Sequence, residues 1–146
     1  MRLRTMPTLM MLTSTLTLTS ACGRRSLAPE PVPLDRVECA RCGMLISNES
    51  GGGEIVAPDD DTRFYDDVGC LAADAAERSP ASRAYVRLGR AVFVEASGAW
   101  FAQPADARTP MGSGIVAFRT ADEARAADRA GRALSWPDVM RIAGGE

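Results

Sequence analysis

Cys39-Ala40-Arg41-Cys42-Gly43 is the segment that most limits how this chain can fold. Two cysteines three positions apart present their sulfurs on one side only if the backbone turns tightly between them. Gly43 lets the chain bend behind that turn, because glycine adopts backbone angles closed to other residues. Met44 follows directly and could swing a third sulfur to the same side. Thiolate and thioether are soft donors that select Cu(I) over harder divalent ions. The competing reading of Met44 is the first core residue of a Met44-Leu45-Ile46 strand.

The other cysteines are Cys22 and Cys70, and the chain has no His. Without imidazole, His-dependent hydrolysis and the usual nitrogen ligands of zinc and Cu(II) are excluded. Cys22 closes an N-terminal signal pattern: Arg2 and Arg4, an uncharged stretch from Met6 to Leu18, then small residues before the Cys. The stretch is too short for a membrane span, which takes about 20 apolar residues. A Cys placed directly after Ser20-Ala21 is the expected site of lipidation. If Cys22 carries lipid, three cysteines remain, and three cannot all pair within one exported chain, so a metal or a reactive thiol has to be considered.

These features divide the chain into a lipoprotein signal over 1–21, a lipidated Pro-rich tether over 22–36, and a metal-binding domain over 37–146. Formal net charge is −2 and becomes more negative once Arg2 and Arg4 leave with the signal. No basic patch is evident, which argues against a nucleic-acid partner.

Within the domain, Asn48 to Gly53 reads as a turn or flexible loop. Glu54–Ala57 and Thr62–Tyr65 read as strands around Pro58-Asp59-Asp60-Asp61. Asp66 or Asp67 can cap a helix through Val68, Leu71, Ala72 and Ala75, stopped by Pro80. Further strands are expected at Arg83–Leu88, Ala91–Ala96, Trp100-Phe101 and Ile115–Phe118. Thr120-Ala121-Asp122-Glu123 is a capping box opening a helix to about Gly131, and Trp136–Arg141 gives a last helical piece. Strands then helix, twice, predict an α+β fold: two small strand-strand-helix units forming one compact domain.

Met111 sits in Thr109-Pro110-Met111-Gly112-Ser113-Gly114, a loop with no evident core face. It is a candidate ligand reaching in from the second unit, or a residue filling a gap. Cys70 reads as buried packing or as a further thiol, and Asp66 and Asp67 read first as helix caps. Two other chemistries remain open for the cysteines. Structural zinc would need four ligands, with Cys70 third and a carboxylate fourth. Thiol exchange would need a cysteine activated at a helix N-terminus.

Four segments together resemble the NosL family, copper lipoproteins accessory to nitrous oxide reductase assembly. They are Cys39-Ala40-Arg41-Cys42-Gly43-Met44, Phe64-Tyr65-Asp66-Asp67-Val68-Gly69-Cys70, Tyr85-Val86 with the strands after it, and Thr109 to Phe118. The resemblance implies a non-enzymatic Cu(I) carrier. It would be lipid-anchored in the cell envelope facing the periplasm, with the outer membrane the expected attachment. The implied partners are nitrous oxide reductase as copper client and an ABC-type assembly complex. It implies a fold of two ββα-type units, related to an organomercurial lyase. The metal candidates it carries over are Cys42 and Met44, with Met111 opposite and Cys39 beside them. A family site that uses imidazole would be incomplete here. The alternative under the same likeness is an enzyme, a thiol-disulfide exchanger or an organomercurial-lyase-like protein, with Cys42, Cys70 and Asp67 as its reactive groups.

Overall fold

The computed structural model describes residues 26–89 and 91–145. Residues 1–21, where the sequence leads one to expect a lipoprotein signal, and Cys22 lie outside the described residues. Among those described, no helix is long and apolar enough to cross a membrane.

The protein is α+β, as its sequence pattern predicts. Six strands are β1 (Gly53–Val56), β2 (Arg63–Tyr65), β3 (Arg83–Gly89), β4 (Val92–Glu95), β5 (Trp100–Ala102) and β6 (Val116–Phe118). The helices are α1 (Val68–Ala75), α2 (Ala121–Ala127) and α3 (Trp136–Ala143). The order strand, strand, helix occurs twice, as β1-β2-α1 and as β5-β6-α2. Between them β3 and β4 extend the first unit's sheet, which runs β2-β1-β3-β4 and is antiparallel throughout. β5 and β6 form a separate antiparallel pair.

Alternation along the strands assigns the two faces of the larger sheet. Ile55 and Val86 point to the core, where they join Tyr65, Val68, Leu71, Phe101, Trp136 and Val139 in one buried cluster. Phe101 and Trp136 meet with ring centroids 5.6 Å apart at 34°, a tilted aromatic contact. Leu71 is fully buried, so truncating it to Ala would cost about 2–5 kcal/mol. The opposite face carries Glu54 and its cross-strand neighbour Tyr85.

That second face is covered by the segment expected to be a free tether. Tyr85 Oη donates to the Leu27 carbonyl at 2.7 Å, and the Glu30 amide donates to Glu54 Oε1 at 2.7 Å. Thr62 Oγ1 donates to Glu30 at 2.9 Å, and Val32 and Leu34 pack against the core. Residues 27–35 therefore form a strap docked on the sheet.

Two local expectations change. Gly51-Gly52-Gly53 reads as a loop, yet β1 begins at Gly53. A side chain at Gly53 would meet the Tyr85 carbonyl at 2.0 Å, so the strand can pass here only without a Cβ. The helix expected to reach Gly131 stops at Ala127, because Asp128 leaves helical angles and its carboxylate accepts from the Ala130 amide at 2.8 Å and from Arg132 at 3.0 Å.

Candidate metal centre

The Cys39–Cys42 turn is closed from both sides. The Cys39 amide donates to the Met44 carbonyl at 2.7 Å, and the Gly43 amide returns to the Cys39 carbonyl at 2.9 Å. Gly43 has φ +75, the left-handed conformation its position requires. Met44-Leu45-Ile46 is not a strand of a sheet but the return arm of this turn, tied by an isolated bridge between Glu38 and Leu45. The Ala40 amide donates to the Phe64 carbonyl at 2.9 Å, which clamps the turn onto the edge of β2.

β2 runs directly into Asp66, Asp67 and α1. Of the two acids, Asp67 is the cap: its carboxylate accepts from the Gly69 amide at 2.6 Å. The same carboxylate accepts from Ser113 Oγ at 2.6 Å and from the Met111 amide at 3.0 Å. One buried side chain therefore caps α1 and pins the Thr109–Gly114 loop over its first turn. Burial pushes this carboxyl up, but bonds from Ser113, Thr109, Gly69 and Met111 outweigh burial and hold it below the usual range. Gly69 leaves room for the loop, since a Cβ there would lie 2.7 Å from Ser113 Cβ.

With Asp67 occupied, Asp66 turns toward the cysteines. Cys42 Sγ–H points at the Asp66 carboxylate at 3.7 and 3.9 Å. Cys70, in the first turn of α1, faces the same point. One ligand atom each from Cys39, Cys42, Asp66 and Cys70 lie within 4.8 Å of one another, and the four could hold a metal ion. Cys39, Asp66 and Cys70 are buried and Cys42 is half-buried. Burial, above all, pushes the Cys39 thiol up, against backbone amides of Cys42, Asp66 and Arg41 that favour its thiolate. Burial likewise pushes Cys70 up, reinforced by the charges of Cys39, Cys42 and Asp66.

The cluster opens to a cleft of about 470 Å³, lined among others by Arg41, Cys42, Cys70, Met111, Ser113 and Ile142. Met111, 49% exposed, thus shares a cleft with two of the three thiols. Met44 is 46% exposed and does not line this cleft; its backbone, not its thioether, supports the turn.

The structure therefore brings together the expected Cys39 and Cys42 and sets Met111 at the mouth. It adds Cys70, for which packing was the leading sequence reading, and Asp66, for which capping was. The doublet Asp66-Asp67 signals only that one of the two acids is free of the cap, not which one, and no local pattern points to Cys70. No protein-family model and no curated protein sequence matches this chain.

Proposed function

We propose that the protein is a Cu(I)-carrying lipoprotein of the cell envelope, anchored through Cys22, that delivers copper to a maturing copper enzyme and has no catalytic activity of its own. The observation that carries this reading is the convergence of three cysteine sulfurs, with one carboxylate, on a single point next to an open cleft. Soft sulfur donors without imidazole suit Cu(I). The likeness to the NosL family supports nitrous oxide reductase as the client and an ABC-type assembly complex as partner.

The gradation of burial fits a carrier. Cys39 lies beneath the cleft, while Cys42, Cys70 and Met111 line it where a partner's sulfurs can approach. Transfer then proceeds by ligand exchange: an incoming sulfur joins the ion's coordination shell as Met111 or Cys42 leaves it, and the ion is never free. Thiol exchange is less well served, because it needs a thiolate exposed to its substrate, and two of the three thiols are buried with their pKa values raised.

The test is an anaerobic Cu(I) titration of the purified protein against a competing Cu(I) chelator, with Cys42→Ser, Cys70→Ser, Met44→Ala and Met111→Ala beside it. One tight site, strongly weakened in the cysteine variants and less so in Met111→Ala, is the expected result. Failure of the wild type to compete with the chelator would reject the carrier reading.

A further inference from the structure

We infer that Asp66 is a selectivity ligand, which lets the same cluster hold Zn(II) with all four groups while Cu(I) uses sulfur alone. The inference rests on the assignment of the cluster as a metal site.

Four donors suit a closed tetrahedral zinc site, and zinc accepts carboxylate oxygen beside thiolate sulfur. With ordinary zinc bond lengths to sulfur and to oxygen, a tetrahedron has an S···O edge of about 3.6 Å. Cys42 Sγ and Asp66 Oδ1 are 3.7 Å apart, so this edge is already set. All the remaining donor separations fall within 4.8 Å. Adding an ion requires small rotations of side chains, not a new backbone path.

Asp66 has no competing structural task of the kind its neighbour has. Asp67 takes the cap of α1 and the bonds to Ser113 and Met111. Asp66 is 5% exposed, and the side-chain donors facing its carboxylate are thiols of the cluster, Cys42 at 3.7 Å and Cys39. A carboxylate buried against three thiols is costly unless positive charge joins it, and Arg87, the buried cation that interacts with it, gives its hydrogen bonds to the Gly51 and Tyr65 carbonyls instead. The larger charge of a divalent ion offsets the ionised thiols and carboxylate better than a monovalent one does. A hard oxygen adds little to Cu(I), which two or three soft sulfurs satisfy. Asp66 is therefore engaged with Zn(II) and idle with Cu(I), so exchanging one ion for the other changes one ligand.

The experiment compares the full-length protein with Asp66→Asn and Asp66→Glu. Zn(II) and Cu(I) affinities are measured separately by chelator competition, and Co(II) serves as the optical probe of coordination. The wild type should give the intense visible bands of tetrahedral Co(II) with sulfur-to-metal charge transfer. Asp66→Asn should weaken Zn(II) by at least about tenfold, the low end of what losing even an outer partner of a metal ligand costs. Its Cu(I) affinity should stay within about twofold. Asp66→Glu, which keeps the carboxylate, should recover part of the Zn(II) affinity and so separate ligation from misfolding. Unchanged Zn(II) binding in Asp66→Asn would overturn the inference. So would equal loss of both ions, which would make Asp66 a merely structural group. A wild type that binds Cu(I) but not Zn(II) would overturn this inference and leave the carrier reading standing. One that binds Zn(II) through Asp66 but not Cu(I) would reject the carrier reading and, with it, the sulfur-only Cu(I) half of this inference.

Discussion

Asp67→Ala should damage the fold and the cleft together, because one carboxylate serves both. The side chain is 1% exposed and accepts from the Gly69 amide, Ser113 Oγ and the Met111 amide. Loss of the helix cap costs about 1 kcal/mol. Each remaining bond, to a buried charged acceptor, adds about 1.5–3 kcal/mol. Ser113 Oγ recovers part of its loss by turning to Thr109 Oγ1, 3.4 Å away. The total is about 3–5 kcal/mol, a fall in Tm of roughly 10–20 °C for a domain of this size. Urea unfolding at pH 7 followed by circular dichroism would measure it. The dependence on pH has a definite sign. A carboxyl lowered in the folded state contributes stability that is complete above its ordinary pKa of 3.8 and fades as pH falls through the lower folded value. The difference between wild type and Asp67→Ala should therefore shrink only in strong acid. A loss under about 1 kcal/mol at pH 7, or a difference that does not change with acid, would refute the assignment of these bonds to an ionised Asp67.

Two other perturbations have equally specific outcomes. Glu54 is buried beneath the strap, and burial first, then the nearby Glu30 charge, raises its pKa from 4.5 to about 7 against the opposing pull of the Glu30 amide and Arg87. Because the folded state then holds the extra proton, stability should decline as pH rises from about 4.5 to 7, by at most about 3 kcal/mol, and Glu54→Gln should flatten that part of an unfolding-versus-pH profile. Gly52→Ala should destabilise by about 2–4 kcal/mol in chemical denaturation, since φ is +60 and a Cβ would sit 2.1 Å from the Tyr65 carbonyl. The same clash reaches the backbone of Asp66, 2.6 Å from that Cβ, so metal affinity should fall along with stability.

The secondary structure was legible where short patterns act alone. The capping box at Thr120 to Glu123 forms as read, and the strands at β1 to β6 fall close to their apolar alternations. What could not be read is whatever depends on a distant partner. The Gly51–Gly53 run looks like a loop until the Tyr65 and Tyr85 carbonyls are known to crowd it. Residues 27–35 look like a solvated tether because of their prolines, although Leu27, Val32 and Leu34 recur as half-buried positions along the docked strap. At the site, Cys39 and Cys42 were visible because their convergence is local, enforced by a single turn. Cys70 joins them through the β2–α1 connection and the clamp of Ala40 on Phe64, a contact that spacing does not encode. Asp66 was hidden by its neighbour, since either acid could cap and only the fold decides which one does.

If three sulfurs close on one copper ion, X-ray absorption at the copper edge reads them out. The protein would be loaded anaerobically with one equivalent of Cu(I) and compared with Cys70→Ser. The wild type should show a first shell of sulfur only, with one sulfur fewer in the variant. A first shell dominated by oxygen or nitrogen, or one identical in wild type and Cys70→Ser, would contradict it.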